Sequence, residues 1–127
     1  NDLSDMTQET VDILTNREAI AVDQDSLGIQ ALNYSSQDSV DVWFKPLAHG
    51  DWAVCFLNRD VVAKAINFVW ADHQVVDDVA DRKVTFADEN YSIRDLWAKK
   101  AVGTTDKPFS AQLPGHDVIM LRLRPMN

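Results

Sequence analysis

The chain has a single cysteine in 127 residues, which excludes an internal disulfide and a cysteine metal cluster. Cys55 lies in the apolar run Trp52-Ala53-Val54-Cys55-Phe56-Leu57, where a buried, inert thiol is expected. It leaves the redox compartment undetermined. No stretch reaches the roughly 18 apolar residues that a membrane-spanning helix requires. The opening Asn1-Asp2-Leu3-Ser4-Asp5 has neither a basic n-region nor an apolar h-region, so no signal peptide is expected there. Bases are scarce beside acids, 12 against 20, for a net charge of −8. A surface of that sign repels phosphate backbones and argues against a nucleic-acid partner.

Several chemical signatures are missing too. There is no Gly-x-Ser-x-Gly elbow to expose a serine nucleophile. Gly103-Thr104-Thr105 lacks the glycine-lysine cradle that holds phosphates. The histidines His49, His73 and His116 are too scattered for the local pairs that bind zinc, and packing at the surface or in turns accounts for them. The acidic stretch holding Asp72, Asp77, Asp78, Asp81, Asp88 and Glu89 has neither the alternating offsets nor the glycine of a calcium loop. It reads as a solvated loop, so neither a metal nor a cofactor is expected.

What remains is a globular composition, 46% hydrophobic and 25% charged, long enough to bury a core without staples. The pattern changes near Gly28. Before it, Thr7 offers a helix cap with Glu9 in the first turn, and Val11 and Leu14 share a face. Asn16 offers a second cap ahead of Arg17-Glu18-Ala19-Ile20-Ala21-Val22. The expectation is a short helical segment over residues 1–28 whose narrow apolar stripe needs a neighbour.

From residue 29 to 127 the period is two. Strands are expected at Gln30–Tyr34, Val40–Pro46, Trp52–Asn58, Val61–Trp70, Tyr91–Arg94, Lys99–Val102, Phe109–Leu113 and Asp117–Arg124, with a short one at Val84–Phe86. Turns at His49-Gly50-Asp51, Arg59-Asp60 and Pro114-Gly115 separate several of them. That spacing predicts a mainly β fold, an antiparallel, Greek-key-like β-sandwich of about seven or eight strands.

The four tryptophans are the one feature suited to a ligand, because flat aromatics on a β-surface can stack on sugars. Trp52 and Trp70 sit in apolar strands and belong to the core. Trp43 and Trp97 border polar residues and are the candidates for carbohydrate binding. A retaining glycosidase needs two carboxyl groups about 5 Å apart on rigid elements, and no acid pair here lies in such a context. No residue is assigned a catalytic role.

Particular segments resemble a known family. Asn1-Asp2-Leu3, the run Ile13 to Asp25 and Leu27-Gly28 are similar to the end of the catalytic barrel in α-galactosidases of glycoside hydrolase family 27. Val42-Trp43-Phe44-Lys45-Pro46-Leu47, Trp52-Ala53-Val54, Leu57-Asn58-Arg59, Arg94-Asp95-Leu96-Trp97 and Pro114-Gly115-His116-Asp117-Val118 resemble its C-terminal β-sandwich. The matches run in order from Asn1 to Leu123. Ser26 stands where the family has proline, and residues 72–90 are longer than its pattern. The resemblance implies a parent that hydrolyses terminal α-galactosides with retention and without a cofactor. It also implies that the aspartate nucleophile and acid/base lie in earlier barrel motifs with no counterpart here, Asp2 being at most a supporting residue. The partner so implied is the missing catalytic barrel, and the family is often secreted, periplasmic or lysosomal. A carbohydrate-binding module and an assembly domain that forms a homo-oligomer stand as the alternatives.

Overall fold

Ten strands, every pairing between them antiparallel, make up the described part of the chain in the computed structural model, which covers Gly28 and residues 30–126. The helices expected before Gly28 lie outside the described residues. The strands are β1 (Leu32–Gln37), β2 (Val40–Pro46), β3 (Trp52–Asn58), β4 (Lys64–Phe68), β5 (Gln74–Asp77), β6 (Arg82–Thr85), β7 (Tyr91–Asp95), β8 (Lys100–Thr104), β9 (Phe109–Leu113) and β10 (Val118–Pro125). Six form one sheet in the order β1-β2-β3-β10-β7-β8, while β4 pairs with β9 and β5 with β6. The last strand therefore returns to the middle of the large sheet, between β3 and β7.

The fold is the expected mainly β sandwich, with ten strands among the described residues rather than seven or eight. Alternation decides which way each side chain points. Val42 and Phe44 of β2, Trp52, Val54 and Phe56 of β3, Tyr91 and Ile93 of β7, and Leu121 and Leu123 of β10 all face inward. They meet Ile66 and Phe68 of β4, Val75 of β5, Val84 of β6 and Leu113 of β9. Trp70 and Phe86 close the same cluster. Many of the rings meet at edges and tilts, as between Phe68 and Trp70 at 4.8 Å and 73° or Phe56 and Phe68 at 5.5 Å and 75°, a geometry that ring quadrupoles favour, while Phe56 and Phe109 stack at 5.5 Å and 20°.

Turn chemistry sets the registers. Asp38 and Ser39, both at positive φ, make the two-residue hairpin between β1 and β2 that matches strand twist. Val61 and Val62 continue the expected Arg59-Asp60 turn instead of opening the expected long strand, because the Asp60 carboxylate accepts the Val61 N–H at 2.7 Å. Residues 72–90 differ most from expectation. They form the β5–β6 hairpin, in which Val75 and Val84 are buried as cross-strand partners. Asp77 is buried as well, because its carboxylate accepts the Ala80 N–H at 3.0 Å across the connecting turn.

Candidate functional site

The buried acids are fully engaged in structure. The Arg59 guanidinium donates to Asp41 at 3.0 Å. Asp51 accepts from Arg122 Nε at 2.9 Å, with Arg124 at 3.5 Å. Arg82 ties the β5–β6 hairpin to the β2–β3 connection. It donates to the Leu47 carbonyl at 2.9 Å and the Asp51 carbonyl at 3.1 Å, with its guanidinium 4.9 Å above the Trp52 ring. A carboxylate already held by an arginine, or by a backbone N–H as Asp77 is, is poorly placed for acid/base work on a substrate.

The cavities agree. A groove of about 440 Å³ between β8 and β9 has Asp95 as its acid, and one of about 220 Å³ beside Trp70 has Asp106. An open hollow of about 520 Å³ holds Asp88 and Glu89. These two are neighbours on one exposed turn, where Glu89 accepts the Thr85 N–H at 3.1 Å, and not carboxylates facing each other across a cleft. Among the described residues no three His, Cys, Asp or Glu side chains gather as a metal site. The indole N–H of Trp70 is buried without a hydrogen-bond partner among the described residues, with the Phe68 ring edge-on beside it.

The two tryptophans singled out from the sequence have different surroundings. Trp52 and Trp70 are core residues, each 1% exposed. Trp97 is 38% exposed at the tip of the turn between β7 and β8. The Asp95 carboxylate there accepts the N–H groups of Trp97 and Ala98, both at 2.9 Å, and Lys99 takes a positive φ. The same turn buries Leu96, whose N–H bonds the Met120 carbonyl at 3.0 Å. Trp43 is partly exposed on β2 and points away from the core, in register with Cys55 of β3. Cys55 pairs in turn with Met120 of β10. Burial pushes the Cys55 thiol up to about 12, with the negative charge of Asp41 adding to the effect.

Two linkages escaped sequence reasoning. Asn58, completely buried, joins two turns: its amide donates to the carbonyls of Val62 at 2.9 Å, Leu113 at 3.2 Å and Pro114 at 3.2 Å, and its oxygen accepts the Asp60 N–H at 2.9 Å. Gly115 sits in the second of those turns, where an added Cβ would lie 2.2 Å from the Val61 carbonyl oxygen. Tyr34 and His73 form the other linkage, Oη to Nδ1 at 2.7 Å, with the imidazole stacked 4.0 Å from the Phe68 ring. The Tyr34 oxygen also takes a backbone hydrogen bond from Gln74. Burial holds His73 below the ordinary histidine range, against the opposing pull of Asp72. An asparagine closing an apolar strand was the visible signal for the first linkage; the second pairs residues 39 apart and has no local signature.

Comparison with known proteins gives these contacts a setting. The model of the alpha-galactosidase C-terminal beta sandwich domain matches residues 37–123. Alpha-galactosidase A of Cellvibrio japonicus is 37% identical over 125 residues, covering 98% of this chain and 31% of the relative. A probable alpha-galactosidase of Dictyostelium discoideum is 34% identical over 130 residues, with 99% of this chain and 31% of the relative covered. The crystal structure of alpha-galactosidase I from Mortierella vinacea superposes with a TM-score of 0.72 at 26% identity, over 97% of this chain and 30% of that one. The chain thus spans less than a third of the length of each of these relatives.

Proposed function

Since the chain belongs to the family of alpha-galactosidase C-terminal β-sandwich domains, we infer that it is the accessory domain of a glycoside hydrolase whose catalytic unit lies outside it. The parent hydrolyses terminal α-linked galactose with retention, by double displacement between two carboxyl groups about 5 Å apart. This chain supplies neither carboxyl group. Within that reading, residues 1–28 are the tail of the catalytic barrel and residues 29–127 the sandwich. The observation that carries it is the family match over 37–123 in a chain covering 31% of its relatives. The structural employment of Asp41, Asp51 and Asp77 supports it, since the buried acids are held by backbone N–H groups or arginines. Expression of the polypeptide together with the residues upstream of Asn1 tests the parentage: the product hydrolyses an α-galactoside and first releases the α-anomer. Release of the β-anomer, or no hydrolysis, refutes the assignment.

The exposure of Trp97 on a hydrogen-bonded turn favours one second reading, a carbohydrate contact by ring stacking. Titration with galacto-oligosaccharides tests it by tryptophan fluorescence. Saturable quenching that disappears in Trp97→Ala supports the contact, and an unchanged spectrum rejects it.

A further inference from the structure

Three connections between strands border the cavity of about 220 Å³ beside Trp70. The β4–β5 connection brings Trp70, the β6–β7 connection Phe86 and Asn90, and the β8–β9 connection Thr105, Asp106 and Lys107. Backbone hydrogen bonds tie these walls together. The Trp70 carbonyl accepts the His73 N–H at 2.9 Å, and the His73 carbonyl accepts the Phe86 N–H at 3.2 Å. Thr105 donates its N–H to the Tyr91 carbonyl and accepts the Tyr91 N–H on its hydroxyl, both at 2.9 Å. The Trp70 side chain is almost fully buried, yet its indole N–H has no hydrogen-bond partner among the described residues. A buried donor is nearly always paired in a native protein. The neighbouring rings of Phe68 at 4.8 Å and Phe86 at 5.2 Å offer only the weaker contact of an N–H with an aromatic face.

We propose that this cavity binds a small neutral hydroxylated molecule, one sugar ring at the largest, with one of its oxygens accepting the Trp70 indole N–H. Size sets the upper and lower bounds. The volume of about 220 Å³ is many times the roughly 10–15 Å³ that admits one water. It falls below the roughly 300 Å³ at which sites for drug-sized ligands begin. The lining sets the chemistry. The Asn90 amide both donates and accepts, the Lys107 ammonium donates, and the Asp106 carboxylate accepts. That carboxylate also takes the Thr104 hydroxyl, which leaves it further lone pairs. Asp106 and Lys107 carry opposite charges, so the site favours a neutral ligand with hydroxyls over an ion of either sign. Phe86 and Pro108 supply apolar wall for the C–H groups of such a ligand. Neither Asp95 nor Trp97 lines this cavity, so it is separate from the Trp97 turn.

Proton–nitrogen NMR of the 127-residue chain, titrated with galactose and separately with inositol, tests the proposal through the Trp70 indole N–H. Its contacts with the Phe68 and Phe86 rings assign the resonance. The expected result is a saturable shift of that resonance and of the Asn90 side-chain amide with at least one of the two probes. The apparent Kd is expected to be several-fold weaker in Asp106→Ala, a change at an exposed position, and unchanged in Trp97→Ala. An indole signal that exchanges magnetisation with water and moves with neither probe identifies water as the occupant and overturns the proposal. A signal moved upfield by the Phe68 ring, silent to water and to both probes, shows an N–H held on that ring and overturns it too. Shifts that vanish in Trp97→Ala and persist in Asp106→Ala place the binding at the other turn, with the same consequence. Each of these outcomes leaves the accessory-domain reading intact, because that reading is tested by hydrolysis in the parent.

Discussion

Replacing Asn58 tests whether one buried amide holds the β3–β4 and β9–β10 turns together. Its amide group has two hydrogens, and they serve three carbonyls, those of Val62, Leu113 and Pro114, while its oxygen serves the Asp60 N–H. Asn58→Ala removes all of these partners at a fully buried position. Each buried backbone group left unpaired costs about 1–3 kcal/mol. Water entering from the Asp60 side satisfies some of them, so the expected loss is about 3–4 kcal/mol, a large share of the ~5–15 kcal/mol typical of a domain. In urea unfolding with an m-value near 2 kcal/mol/M, that loss moves the midpoint down by roughly 1.5–2 M at unchanged slope. Asn58→Asp sharpens the test because it keeps the shape but aims a carboxylate at three carbonyl oxygens. Its folded pKa must rise above the unfolded value near 3.9. The variant is therefore least impaired in acid, relative to the parent sequence, and loses further stability as pH rises past that value. An Asn58→Ala loss below about 1 kcal/mol, or an Asn58→Asp variant as stable as the original at neutral pH, would refute the reasoning.

Three other perturbations follow from the same structure. Gly115→Ala drives a Cβ to 2.2 Å from the Val61 carbonyl oxygen, and thermal unfolding is expected to show a loss of about 2 kcal/mol or more; an unchanged midpoint counts against the close approach. The burial that lowers the His73 pKa makes stability complete above the unfolded value of about 6.5 and progressively lost as pH falls from there toward the folded value. Urea midpoints between pH 7.5 and 5 are expected to slope less in His73→Gln than in the original chain, and parallel slopes would show that His73 is not involved. With its thiol at about 12, Cys55 is expected to react with iodoacetamide at pH 8 orders of magnitude more slowly in the folded chain than in urea, because the thiolate fraction is only about one in ten thousand; comparable rates would place the thiol in solvent.

How much of this could be read from the residues depends on whether the cause was local. Strands β2, β3, β9 and β10 were legible because alternation and the flanking Gly, Pro and Asp turns are short-range signals, and Trp52 and Trp70 fell in the core for the same reason. The β5–β6 hairpin was not. Its acids look solvated in the sequence, yet Asp77 is buried by a turn that it caps itself, and only Val75 and Val84 carry the apolar pattern. The β4 strand was drawn too long because Val61 and Val62 continue the β-branched pattern, while Asp60 and Asn58 draw their backbone into a turn. Asn58, Arg82 and the Tyr34–His73 pair act across tens of residues, and periodicity carries no trace of such contacts. Trp43 was recognised as unusual for its polar neighbours, but its membership of a row with Cys55 and Met120 required the strand order. The family resemblance went further than any of these readings because it compares ordered segments instead of single causes.

The most direct test of the account is turnover by the purified 127-residue chain on an α-galactoside, measured beside the full-length parent at equal molar concentration. The account predicts galactose release by the parent and, from the chain alone, a rate no different from buffer. Sustained hydrolysis by the chain that survives further purification would contradict it, because two carboxyl groups able to act together would then have to lie within these residues.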